Sequence, residues 1–221
     1  MMKYDDFKQA VVGFPLISSS QMGVLTPKPK VLRVQQTKWH KQGKLWRLKR
    51  GLFLLNPKEH PHFPSKEYVA CQMLSPSYIS MEYALFYYGV IPEFVADLTC
   101  ITSKKTQRYK NKMGTFIYQH ITPRAFTGFS TVKNEQGLSY FMAELEKALV
   151  DFFYLNLKTF KNAEPDIFEA SYRMRLTLPL RKKKLRAYAG LFQNSSLDKV
   201  VALYLKVVEV AHVWPDKGLC W

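Results

Sequence analysis

Apolar and polar positions are most regularly patterned in the middle of this chain, from Tyr78 to Tyr154. Met81, Ala84, Leu85 and Tyr88 recur at three- and four-residue intervals, the period of a helix with one buried face. Ser80 precedes them as a natural N-cap, and Glu82 falls in the first turn, where a carboxylate suits the helix dipole. Gly89 and Pro92 end that helix. Downstream, LTCIT (98–102) and TFIYQHI (115–121) are rich in β-branched and aromatic residues and predict strands, with the charged segment SKKTQRYKNKMG as a loop between them. Residues 126–132 and 138–142 predict two more strands around the turn KNEQG. From 143 to 157, Leu145, Ala148, Leu149, Phe152 and Leu155 share a helical face. The remainder reads as mostly helical, with the basic run LRKKKLR near its middle and a long amphipathic helix after it.

The first quarter of the chain has shorter periods. Residues 3–12 predict a helix with Phe7, Ala10 and Val11 inward, ended by Gly13 and Pro15. Ser18 to Ser20 offer caps for a second helix over SSQMGVL, and TPKPK breaks the chain before a third helix from about Lys30 to Gln42. At 100° per residue, Val31, Leu32, Val34 and Trp39 fall on one arc of that helix, and Arg33, Gln36, Thr37, His40 and Lys41 on the opposite one. LWRLKRGLFLL then predicts a hairpin with Leu45, Leu48, Leu52 and Leu54 inward and Lys49-Arg50-Gly51 as a basic turn. Three short helices and a basic hairpin are the pattern of a winged helix-turn-helix. NPKEHPHFP, with three prolines in nine residues, reads as an interdomain linker. The expected fold is therefore α+β: a winged helix-turn-helix over 1–57, a linker over 58–63, and over 64–221 a mixed α/β domain with a small antiparallel sheet and flanking helices.

Charge sharpens this picture. The formal net charge is +16 and the pI near 9.7, which points to a polyanionic partner, nucleic acid before membrane. Between Pro27 and Arg50 there are nine basic side chains, and no Asp or Glu occurs between Asp6 and Glu59. A face that needed only solubility would mix both signs, whereas approach to phosphates requires that carboxylates be excluded. The residues expected to contact DNA are Lys30, Arg33, Gln36, Thr37, His40, Lys41, Lys44, Arg47, Lys49 and Arg50. Gln36 suits adenine, Arg33 guanine and the Thr37 methyl a thymine methyl, while Lys49 and Arg50 would hold the backbone. A second anion-binding surface is expected at Lys104, Lys105, Arg108, Lys110 and Lys112, with Tyr109 among them as a stacking group. The third cluster, around Arg181 to Arg186, reads as a solvated turn.

Catalytic patterns are missing. No D-x-D pair, G-x-S-x-G elbow or G-x-x-x-x-G-K loop occurs, so no enzyme and no cofactor is expected. Glu144, Glu146 and Lys147 read as surface charge on a helix, and His60 and His62 as linker residues rather than metal ligands. No uninterrupted apolar run reaches membrane-spanning length. MMKYDDFKQA lacks the apolar segment of a signal peptide, and three widely spaced cysteines suit a reducing compartment, so a cytoplasmic protein is expected.

Four segments in order, LWRLKRGLFLL, YISMEYALFYYGVIPE, GTFIY and EKALVD, resemble the AbiEi family of bacterial antitoxins from type IV toxin–antitoxin systems. The resemblance implies a protein that represses its own operon by binding inverted repeats in promoter DNA. It also implies a C-terminal domain that counteracts a nucleotidyltransferase-like toxin without a stable complex. The competing expectations are a stand-alone winged-helix regulator whose second domain senses a ligand or protein, and an RNA- or anionic-membrane-binding protein.

Overall fold

The computed structural model describes residues 2–26, 28–60 and 63–213; His62 and Cys220 lie outside them. The chain is mixed α+β, with a three-stranded antiparallel sheet and a six-stranded mixed sheet.

Near the N-terminus come helices α1 (Tyr4–Val11), α2 (Ser19–Val24) and α3 (Pro29–Lys41), with strands β1 (Ile17–Ser18), β2 (Leu45–Lys49) and β3 (Leu52–Leu55). Ser18 starts α2 through a reciprocal cap, its hydroxyl accepting from Gln21 N–H at 3.2 Å while the Gln21 side chain accepts from Ser18 N–H at 2.7 Å. Strand order is β1-β3-β2. The hairpin turns at Gly51, whose φ of +78° suits glycine, and Ser19 N–H donates to the Gly51 carbonyl at 2.9 Å. That bond ties the start of α2 to the hairpin tip. Phe7, Val11, Ile17, Met22, Leu32, Trp39, Leu45, Phe53 and Leu55 form one apolar cluster, with Phe7 and Trp39 rings 4.8 Å apart. Ala10, expected inward, is exposed.

Two expectations for α3 are corrected. Gln35 and Gln36 are buried with Leu32 and Trp39, while Val31 and Val34 are exposed. Buried residues 32, 35, 36 and 39 share a narrow arc, so the helix is turned away from the orientation that simple hydrophobicity favours. Gln36 is held there because its Nε2 donates to the Met22 sulfur, and Gln35 Nε2 donates to the Met2 carbonyl.

The larger sheet has strands β4 (Ser77–Ile79), β5 (Leu98–Thr102), β6 (Gln107–Asn111), β7 (Gly114–His120), β8 (Phe129–Lys133) and β9 (Ser139–Ala143) in the order β6-β7-β5-β4-β9-β8. It is not the small antiparallel sheet expected: β5 pairs parallel with β7, and β4 parallel with β9. Helices α4 (Lys66–Met73), α5 (Met81–Tyr87), α6 (Leu145–Leu155), α7 (Leu157–Phe160), α8 (Lys182–Gly190) and α9 (Ser195–Val213) complete it. All five residues of β5 are buried, which requires cover on both faces. Tyr118, paired with Cys100, donates to the Ala70 carbonyl of α4 at 2.7 Å, and Tyr78, paired with Ile101, donates to Asp151 of α6 at 3.0 Å. Adjacent residues of β5 point to opposite faces, so α4 and α6 flank the sheet.

Leu16, Leu48, Leu52 and Leu54 join the larger apolar cluster rather than the N-terminal one. The hairpin therefore belongs to both halves, and Asn111 Nδ2 of β6 donates to the Leu48 carbonyl at 3.2 Å. Residues expected as a linker are engaged as well: Pro57–Glu59 form a 3-10 turn, Glu59 accepts from the Tyr4 hydroxyl at 3.0 Å, and His60 is buried beside the Phe14 carbonyl.

Candidate nucleic-acid interface

The exposed arc of α3 carries Lys30, Arg33, Thr37, Lys38 and Lys41. Gln36 does not belong to it, because its amide is consumed inside the fold. Thr37 uses its hydroxyl to donate to the Arg33 carbonyl at 3.1 Å. His40 is half-buried and its Nδ1 donates to the Leu45 carbonyl at 3.1 Å, which fastens the end of α3 to β2. Lys44 turns towards α1, with its ammonium 4.3 Å from the Tyr4 ring centre.

On β2, strand alternation buries Leu45 and Leu48 and leaves Arg47 exposed and Lys49 half-exposed, with exposed Arg50 on the turn. The segment expected as a charged loop contains the edge strand β6, and it uses the same alternation. Arg108, Lys110 and then Lys112 are exposed, while Gln107, Tyr109 and Asn111 are half-buried. Tyr109 is not a free stacking group: its ring packs edge-on to Tyr118 at 5.8 Å.

The fold brings the two basic hairpins together. Arg47, Lys49 and Arg50 from one, Lys110 and Lys112 from the other, and His40 beside them line one cleft of about 840 Å³. Lys112 lies 5.4 Å from the Trp46 ring centre. Burial, then the charge of Lys104, holds the Lys49 ammonium below its usual pKa; Lys104 itself does not line the cleft, and its ammonium donates to the Ser75 carbonyl at 2.5 Å. Among the described residues, no carboxylate lines the cleft. Such a concentration of like charge raises the local potential and is complementary to a polyanion. Lys105 is exposed outside the cleft, and Arg108 is drawn to Asp97 at 3.5 Å.

Ion pairing separates this surface from the third basic cluster. Among the described residues, no lysine or arginine between 28 and 50 forms a salt bridge. Arg181 by contrast binds Glu146 and Glu144, Lys184 binds Glu144, and Lys182 binds Glu209 at 2.9 Å. That cluster is mostly neutralised within the fold, beyond a merely solvated turn.

The EKALVD segment is interior, which corrects its reading as helix-surface charge. Glu146, Lys147 and Asp151 are each at most 1% exposed. Lys147 pairs with Asp151 one turn on, and Asp151 also accepts from the Ser80 hydroxyl at 2.8 Å and from Tyr78. Ser80 thus spends its hydroxyl on Asp151 and makes no side-chain cap to α5. Burial pushes Lys147 down and Asp151 up, while their mutual attraction opposes both shifts. Burial pushes Glu146 up, but the hydrogen bonds from Arg181 outweigh it and leave the carboxyl below its usual range. The i,i+4 spacing of Lys147 and Asp151 inside an apolar helix is the signal that marks an internal pair.

A second concavity differs in sign. Of about 560 Å³, it carries Glu82, Glu93 and Asp97, of which Glu93 is bound by Arg173 and Asp97 by Arg108. The Cys71 thiol is pushed up to about 11 by burial and Cys100 well above its usual value, so neither is poised as a nucleophile. Among the described residues, no group of three or more His, Cys, Asp or Glu could hold a metal ion, and no helix is long and apolar enough to cross a membrane.

The chain matches no protein-family model, and no curated protein is significantly similar to it.

Proposed function

We propose that this protein binds duplex DNA and acts as an antitoxin and autorepressor of the AbiEi type. In this reading residues 1–57 are a winged helix-turn-helix, with α2 and α3 as the two helices and the β2–β3 hairpin as the wing. Residues 58–63 join it to a C-terminal domain over 64–221 that opposes a nucleotidyltransferase-like toxin. One observation carries the DNA-binding half: the β2–β3 and β6–β7 hairpins present at least five cations to one cleft that, among the described residues, contains no acid. The exposed basic arc of α3 supports the same direction of approach. Arg33 then contacts base edges, while Arg47, Lys49, Arg50, Lys110 and Lys112 neutralise phosphates. The antitoxin half rests on the four sequence segments alone.

Titration of a labelled promoter duplex tests the first half. Lys49→Ala with Arg50→Ala is expected to weaken binding to all duplexes alike, whereas Arg33→Ala relaxes sequence preference. Indifference of both variants would refute the assignment. For the second half, co-expression of the full chain with a nucleotidyltransferase-like toxin encoded next to it should restore growth, and failure to do so would leave only a regulator.

A further inference from the structure

We propose that the exposed face of α3 reads DNA by methyl contact, with Val34 meeting the C5-methyl group of a thymine in the major groove. This rests on the duplex-binding reading above. Val34 is 71% exposed and Val31, one turn earlier, 40%. Thr37 follows at the same three-residue interval, and its hydroxyl is occupied by the Arg33 carbonyl, which leaves its methyl group for a partner. The three side chains form an apolar ridge along the helix, flanked by exposed Lys30, Arg33, Lys38 and Lys41. β-Branched residues in a helix are confined in χ1, so the ridge is rigid before any partner arrives. Leu32 and Trp39 supply the buried face, and the fold gains nothing from apolar residues on this one. A second copy of the chain would meet the ridge with the same cations and be repelled. A duplex offers phosphates to the cations and, in the major groove, thymine methyl groups to the ridge. Burial of Gln36 removes the amide reader from this face, so discrimination falls to these methyl groups and to Arg33.

The experiment begins with the full chain and selection of binding sites from a random duplex library. Each thymine of the selected site is then replaced by deoxyuridine, which deletes only the methyl group, and affinity is measured for the wild type, Val34→Ala and Val34→Thr. We expect the wild type to lose about three- to five-fold at one or two thymines, the worth of one buried methyl group. Val34→Ala should bind the thymine and uracil forms of those positions equally. Both variants are expected to keep the wild-type melting temperature, because the side chain is exposed. A Val34→Ala protein as sensitive to uracil as the wild type at every position would overturn the proposal. So would a change in oligomeric state on Val34→Ala with the uracil scan unaltered. Failure to enrich any duplex would refute the DNA-binding reading itself, and the methyl readout with it.

Discussion

Single residues separate what charge and hydropathy can foretell from what packing decides. Gln36 lies at the position where a polar residue on a basic helix should face outward, yet it is buried and bonded to Met22. Gln36→Ala is expected to destabilise the protein by about 1–2 kcal/mol, the cost of a lost buried hydrogen bond and its cavity, and to leave base preference unchanged. Urea denaturation beside a binding titration checks both halves of that statement. The Lys147–Asp151 pair has a larger consequence. Lys147→Met should cost about 3–5 kcal/mol, because Asp151 is left charged and enclosed with only two hydroxyl donors. Adding Asp151→Leu to that variant should recover part of the loss, since it removes the stranded charge but leaves the buried Tyr78 and Ser80 hydroxyls without their acceptor. If the double variant is no more stable than the single one, the pair matters for more than its charge.

At the scale of elements, the helices are the legible part. α1, α2, α3 and α6 follow from apolar period, caps and stop residues, β2 and β3 from the leucines spaced around the basic turn at Gly51, and β5 and β7 from runs of β-branched and aromatic residues. β4 escapes notice because its three residues sit directly before the Ser80 cap and read as a helix approach. β6 reads as a loop because it lies in a run of basic residues, although the alternation Gln-Arg-Tyr-Lys-Asn-Lys carries the period of a half-buried strand. Which residues of α3 turn outward depends on Met22 and Met2, which no local pattern reveals. The candidate site is legible as two separate basic clusters; their union in one cleft is a consequence of tertiary packing between β2 and β6. That union predicts that Lys110→Glu with Lys112→Glu weakens duplex binding even though both residues lie outside the N-terminal helices and the β2–β3 hairpin. The salt dependence, as the slope of log K against log salt, should flatten by roughly 1 for each phosphate that is no longer neutralised. Lys182→Ala, whose charge is committed to Glu209, should leave binding unchanged.

For the whole molecule, the hairpin is what couples the two halves. Leu48, Leu52 and Leu54 pack into the larger apolar cluster while Leu45, Phe53 and Leu55 pack into the smaller one. A tether would let the halves melt separately; a shared hairpin should give one cooperative unfolding transition, seen as agreement between calorimetric and van't Hoff enthalpies. The same coupling fixes the cleft, because β2 cannot move from β6 without exposing these leucines. The most direct measurement is the affinity of the full chain for a labelled duplex at several salt concentrations, compared with Lys110→Glu/Lys112→Glu and with Arg47→Glu/Arg50→Glu. A single polyanion track across both hairpins predicts a steep salt slope that falls by a similar amount in either double variant. A slope untouched by the Lys110 and Lys112 changes, with binding still abolished on changing Arg47 and Arg50, would mean that the cleft is not one surface.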